Sequence, residues 1–221
     1  MKKILLFISG IVINFYWIFQ LAMKNPARGA DFYYSLGIYP EENRELLLYW
    51  CIPLMLMFAY QGNYFSFHTK GFYQNKLVRY ASKRGYVFLL LVKHCLFVTS
   101  SFLIFNAISL YFTNSSGVTN YQIEGVLLSY LTLLTLATVH FYLSMILPYI
   151  FSYLIVIGTL LLSLAATEHV TGELRRYLVF NSLMSVRITA EDWSCSIGIQ
   201  SVILCICLVL IFIKSKKLDF L

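Results

Sequence analysis

The chain has 221 residues, of which 59% are hydrophobic and only 12% charged, with a mean hydropathy of +0.73. A soluble domain carries roughly 25% charged residues and mixes them along its length; here they cluster between long apolar runs, which excludes an ordinary soluble globule. The formal charge of +7 sits in those clusters, so no soluble domain is left to carry a nucleic-acid surface.

A bilayer core about 30 Å thick needs about 20 mostly apolar residues in a helix. Continuous apolar runs point to helices, since a membrane barrel reads as alternation. Six runs qualify: 4–23, 46–65, 88–112, 123–147, 148–166 and 196–213. No repeat or Pro/Ser linker divides them, so residues 1–221 are expected to form one all-α, polytopic membrane domain with six spans.

The first run follows Lys2 and Lys3. Its apolar stretch is longer than the h-region of a signal peptide and no small-x-small cleavage site follows, so a retained helix is expected. The second run is preceded by Glu41, Glu42 and Glu45, acids that favour the dipole of a helix first turn. The fourth and fifth runs are nearly fused, and Pro148 is the natural break. Proline lacks an N–H and clashes with a preceding turn, yet suits a helix start. A tight hairpin is expected there.

Lys and Arg collect in cytoplasmic loops. Alternating the loops from an inside N-terminus puts Lys2, Lys3, Lys70, Lys76, Arg79, Lys83, Arg84, Lys93, Lys214, Lys216 and Lys217 inside. Lys24, Arg28, Arg44, Arg175, Arg176 and Arg187 fall outside. Every acid except Asp219 also falls outside. Both termini are therefore expected in the cytoplasm.

The most basic stretch is "GFYQNKLVRYASKRGYVFLLLVKH", residues 71–94, which holds no acid. Lys76, Arg79 and Lys83 recur at i, i+3 and i+7, on one helical face, and Tyr73, Leu77 and Tyr80 or Ala81 recur on another. This predicts an amphipathic helix at the inner surface, with Arg84 and Lys93 snorkelling toward water. Such a helix serves either as an electrostatic anchor to anionic lipid or as a docking element for a cytoplasmic partner.

Residues 167–195 form a longer outer segment, "TEHVTGELRRYLVFNSLMSVRITAEDWSC". Residues 172–186 can make a short helix with Tyr177, Phe180 and Met184 on its apolar side, and Thr189 with Asp192 reads as a cap for the last span. An interfacial or re-entrant element is expected. Inside the runs stand Asn14, Gln20, Asn106, His140, Ser144 and Gln200. Intramembrane polar groups either join helices by hydrogen bonds or touch a substrate. His68, His94, His140 and His169 read as scattered, with no H-E-x-x-H, which argues against a metalloprotease. The five cysteines show no metal spacing; Cys51 and Cys195 both fall near the outer side, and spacing alone does not decide whether they pair.

This layout resembles the membrane subunits of ABC-2-type transporters, in particular small bacterial permeases of peptide, bacteriocin and antibiotic export or immunity. Residues 77–94, "LVRYASKRGYVFLLLVKH", are similar to that family's R-Y-x-S-R segment, and the tail "KSKKLDFL" resembles its short basic ending. The resemblance implies a coupling helix over about 70–86, with Tyr73, Lys76, Arg79, Tyr80, Lys83 and Arg84 meeting a cytoplasmic ABC ATPase subunit. It implies a substrate path past Asn14, Gln20, Asn106 and His140, and an outer gate at Tyr177, Phe180 and Met184. No G-x-x-x-x-G-K-[ST] loop occurs, so ATP and Mg²⁺ are expected on the partner, with no cofactor on this chain. A second permease copy or a related permease completes the assembly in the bacterial cell membrane. The reading from a different class is an immunity or regulatory membrane protein that binds a toxin or sensor and moves nothing.

Overall fold

A computed structural model describes residues 8, 9, 12, 16, 44–69, 83–113, 120–166, 178–184 and 192–217. Its helices are α1 (Arg44–Thr69), α2 (Lys83–Thr113), α3 (Asn120–Ile146), α4 (Tyr149–Ala166) and α5 (Trp193–Lys217), with a short 3-10 turn at Val179–Leu183. The described residues contain no strand.

Four helices are long and apolar enough to cross a bilayer, over Arg84–Ile108, Ile123–Ile146, Tyr149–Ala166 and Trp193–Lys216. They cover the third to sixth expected spans. Of the first expected span, Ile8, Ser9, Val12 and Tyr16 are helical, and the rest lies outside the described residues. The second falls within α1, of whose residues Trp50, Cys51, Leu54, Met57, Phe58 and Gln61 are all buried. A helix covered largely by protein need not be apolar all round. Pro53 lies inside α1 without ending it.

The α3–α4 break occurs at Pro148. The Leu147 amide closes α3 on the Leu143 carbonyl at 2.8 Å, and the Pro148 carbonyl accepts the amides of Phe151 (3.0 Å) and Ser152 (3.2 Å). Pro148 thus opens α4 at a position where its missing N–H costs nothing. Across this hairpin the Ser144 and Ser152 hydroxyls bond at 2.8 Å.

Helix α3 is the hub, packing on the other four helices and on the 3-10 turn. Its spanning window is 56% buried, against 22% for α5. Fully buried Trp50, Phe58, Phe105, Leu136, Leu160 and Met184 fill the centre. The hydroxyls of α3 are satisfied locally: Thr132, Thr135 and Thr138 donate to the carbonyls of Leu128, Leu131 and Leu134 at 2.8–2.9 Å. Back-bonding of this kind lets threonine sit in a dry core. Outward, Phe88, Leu103, Leu127, Phe151, Leu162 and Val202 are each more than half exposed. So continuous an apolar exterior is what lipid covers. The chain is a helical membrane protein.

Contacts along the helices fix their directions. His94 of α2 meets His140 and Phe141 of α3, while Thr99 meets Tyr130, so α2 and α3 are antiparallel. Phe141 and Met145 cluster with Tyr86 and Leu90 of α2 and Ile211 of α5. The start of α2, the end of α5 and the Leu147–Pro148 hairpin therefore share one end of the bundle. The end of α1 joins them, because Gly62 faces both His140 and Tyr149.

Candidate functional site

The hairpin end is basic. Arg84 opens α2, and Lys214 and Lys216 close α5. The Arg84 guanidinium lies 5.2 Å from the ring centroid of Phe212, and the Lys216 ammonium lies 5.4 Å from the same centroid. A cation over an aromatic face is attracted to the ring quadrupole, so Phe212 ties the first turn of α2 to the last turns of α5. The acids among the described residues stand at the other end of the bundle: Glu45 at the start of α1, Glu124 at the start of α3 and Asp192 just before α5. The chain between α1 and α2 leaves and re-enters at the basic end. It carries Tyr73, Lys76, Arg79 and Tyr80, which lie outside the described residues; Lys83 is the first residue of α2.

Nearly three helical turns further along α2 lies a polar cluster that sequence reading did not assemble. The Gln61 carboxamide donates to the His94 carbonyl at 3.3 Å. The His94 Nε2 lies 3.0 Å from the Ala137 carbonyl, and since a carbonyl only accepts, Nε2 is the donor. The His94 and His140 rings stack with centroids 6.0 Å apart, and Phe58 meets His140 edge-on at 5.5 Å. Neither ring nitrogen of His140 nor Oε1 of Gln61 has a hydrogen-bond partner among the described residues. This corrects the expectation of scattered histidines: 46 positions of chain separate the pair, and the antiparallel α2–α3 packing brings them together. Next to them a cleft of about 160 Å³ is lined by Tyr60, Gln61, Lys93, His94 and Phe97.

A second cluster holds the 3-10 turn. Gln200 of α5 donates through Nε2 to the Thr132 hydroxyl of α3 (2.7 Å) and to the Ser182 hydroxyl of the turn (2.5 Å). Thr132 and Ser182 bond to each other at 2.8 Å. Ser129 donates to the Leu183 carbonyl at 2.7 Å, and Ser163 of α4 donates to Asn181 Oδ1 at 3.3 Å. Asn181, Ser182, Leu183 and Met184 are buried. Non-helical backbone at membrane depth survives only where protein covers it, and these hydroxyls and amides do the covering.

The expected site residues are distributed as follows. Asn14, Gln20 and Tyr177 lie outside the described residues. Asn106 is buried and donates to the Phe102 carbonyl of its own helix at 3.0 Å. Met184, at the end of the 3-10 turn, is fully buried in the core of the bundle, and half-buried Phe180 packs against that core. Within the short helix expected over 172–186, the described part is that 3-10 turn. Cys51 and Cys195 are not joined in a disulfide. Gln61, Ser182 and Thr132 were not singled out from sequence, because each becomes notable only through partners on other helices. Among the described residues no three of His, Cys, Asp and Glu converge in a metal-binding group.

Comparison with curated proteins and with solved structures returns no match. A family model does match, over residues 4–221 and hence nearly the whole chain. The chain belongs to that family, described as "Protein of unknown function (DUF2705)".

Proposed function

We propose that this chain is a membrane-spanning subunit of an ABC-2-type transporter, exporting a hydrophobic or amphipathic peptide or antibiotic, with ATP hydrolysed on a separate cytoplasmic subunit. The observation that carries the reading is the basic end. The end of α1 and the start of α2, which segment 70–82 joins in sequence, lie with Arg84, Lys214 and Lys216 at the end that holds the α3–α4 hairpin. The positive-inside rule assigns that end to the cytoplasm, where an ATPase would meet Tyr73, Lys76, Arg79, Tyr80, Lys83 and Arg84. Because Arg84 is seated on Phe212, a displacement of this segment is passed to α2 and α5 together. Closure of an ATPase dimer would then tilt these helices and open a path between two permease copies. Phe180 and Met184, near the acidic end, would move with α3 and α5 through the Gln200–Thr132–Ser182 bonds.

The second reading, a non-transporting immunity or regulatory protein that binds a toxin or sensor, is favoured by the filled centre of the single chain, where the largest side chains are fully buried. Purification of the tagged chain in mild detergent separates the two. A co-purifying ATP-hydrolysing subunit supports the transporter; a folded chain that brings none supports the binding protein.

A further inference from the structure

The cleft beside the histidine pair has a chemistry of its own. Lys93 stands nine residues beyond Arg84, about 13 Å further along α2, and within its apolar window. It is exposed, and the acidic side chains among the described residues lie at the other end of the bundle. Tyr60 and Phe97 stack at 4.8 Å to form a wall of the cleft. Gln61 also lines it; the residue is 3% exposed, and its Oε1 has no hydrogen-bond partner among the described residues. From Lys93 an outward stripe continues through Leu96 and Leu103, each 60% exposed, at i+3 and i+10. Ser100 lies on the same face but turns its hydroxyl back to the Leu96 carbonyl, leaving the stripe apolar. A cation beside an aromatic-walled cleft, at the head of a lipid-facing apolar stripe, is complementary to an anionic amphiphile.

We propose that this cleft holds the headgroup of an anionic phospholipid. Its phosphate pairs with Lys93, and one acyl chain runs along Leu96 and Leu103. The cleft volume of about 160 Å³ corresponds to about five waters of liquid, room for a phosphate with a short polyol. The assignment is independent of the transporter reading, because it concerns α1 and α2 of one chain and needs no ATPase.

The test reconstitutes the full chain in nanodiscs of phosphatidylcholine with a minority of phosphatidylglycerol. Lipid retained on the protein is then counted by native mass spectrometry. The expected result is enrichment of phosphatidylglycerol, lowered about fivefold by Lys93→Gln, the worth of one lysine at an anionic surface. Lys93→Arg keeps the enrichment, and Lys214→Gln, outside the cleft at the same end, leaves it unchanged. Absence of enrichment in the wild-type chain overturns the proposal. Equal losses in Lys93→Gln and Lys214→Gln also overturn it, because they reduce the effect to general surface charge.

Discussion

A Cβ built on Gly62 would stand 3.2 Å from Nε2 and 3.3 Å from Cε1 of the His140 ring. That ring is held on other sides by Phe58 and His94. Gly62→Ala therefore forces the imidazole to shift inside a packed core. Overpacking of this kind costs about 1–3 kcal/mol, partly offset by alanine's better helix propensity. A lower unfolding midpoint in detergent is expected for Gly62→Ala. In a His140→Ala background the added methyl keeps only an ordinary contact with the Tyr149 ring at 3.5 Å, and the cost should vanish or change sign. Equal costs in both backgrounds would mean that the close approach is not what matters.

The bond triangle of Gln200, Thr132 and Ser182 predicts coupling between α3, α5 and the 3-10 turn. Interhelical hydrogen bonds in membranes contribute about 0.6 kcal/mol on average and up to about 1.7. Gln200→Leu removes two of them and is expected to lose about 1–2 kcal/mol. Thr132→Val and Gln200→Leu share partners, so their combined loss should be smaller than the two separate losses added together. Hydrogen exchange at residues 181–184 should rise in either variant. Strict additivity with unchanged exchange would remove the triangle as the anchor of the turn.

Met184 is fully buried at the end of that turn, whereas Phe180 is only half-buried. Truncating a buried methionine to alanine loses contacts and leaves a cavity, at about 2–5 kcal/mol. Met184→Leu conserves volume and should cost less than about 1.5 kcal/mol. Phe180→Ala is expected to cost less than Met184→Ala despite the larger side chain. The reverse order of thermal midpoints would place Phe180, not Met184, at the core.

Sidedness is directly measurable. In a cysteine-free background, Pro148→Cys marks the hairpin turn and Glu124→Cys marks the opposite end of α3. Pro148 and Glu124 are both exposed. A membrane-impermeant maleimide is expected to label Pro148→Cys only in inverted vesicles and Glu124→Cys only in intact cells. The opposite pattern would put the basic end outside.

Much of the architecture was legible in the sequence. The runs that became α2 to α5 were marked by length and apolarity, and Pro148 named its own turn, because both signals are local. The second run was marked in the same way and lies within α1; that Trp50 and Gln61 face protein is shown only by the packed bundle. The meeting of His94 with His140 was not legible, since no local pattern encodes which turn of α2 faces which turn of α3. Gln200 was singled out as a packing amide, but its partners Thr132 and Ser182 lie 68 and 18 positions away, beyond the reach of periodicity. The basic segment stood out at once by charge alone, and its role is the part that needs experiment.

The central claim is that the basic segment between α1 and α2 couples this chain to an ATPase. The most direct measurement is ATP hydrolysis in the eluate of the tagged chain purified in mild detergent. Wild type would be compared with Arg79→Glu/Lys83→Glu, and with Arg175→Glu/Arg176→Glu as a control at the other expected face. Hydrolysis that co-purifies with wild type and the control but is lost from the Arg79/Lys83 variant is the predicted result. Hydrolysis absent from all three folded samples, or unchanged by reversing Arg79 and Lys83, would contradict it.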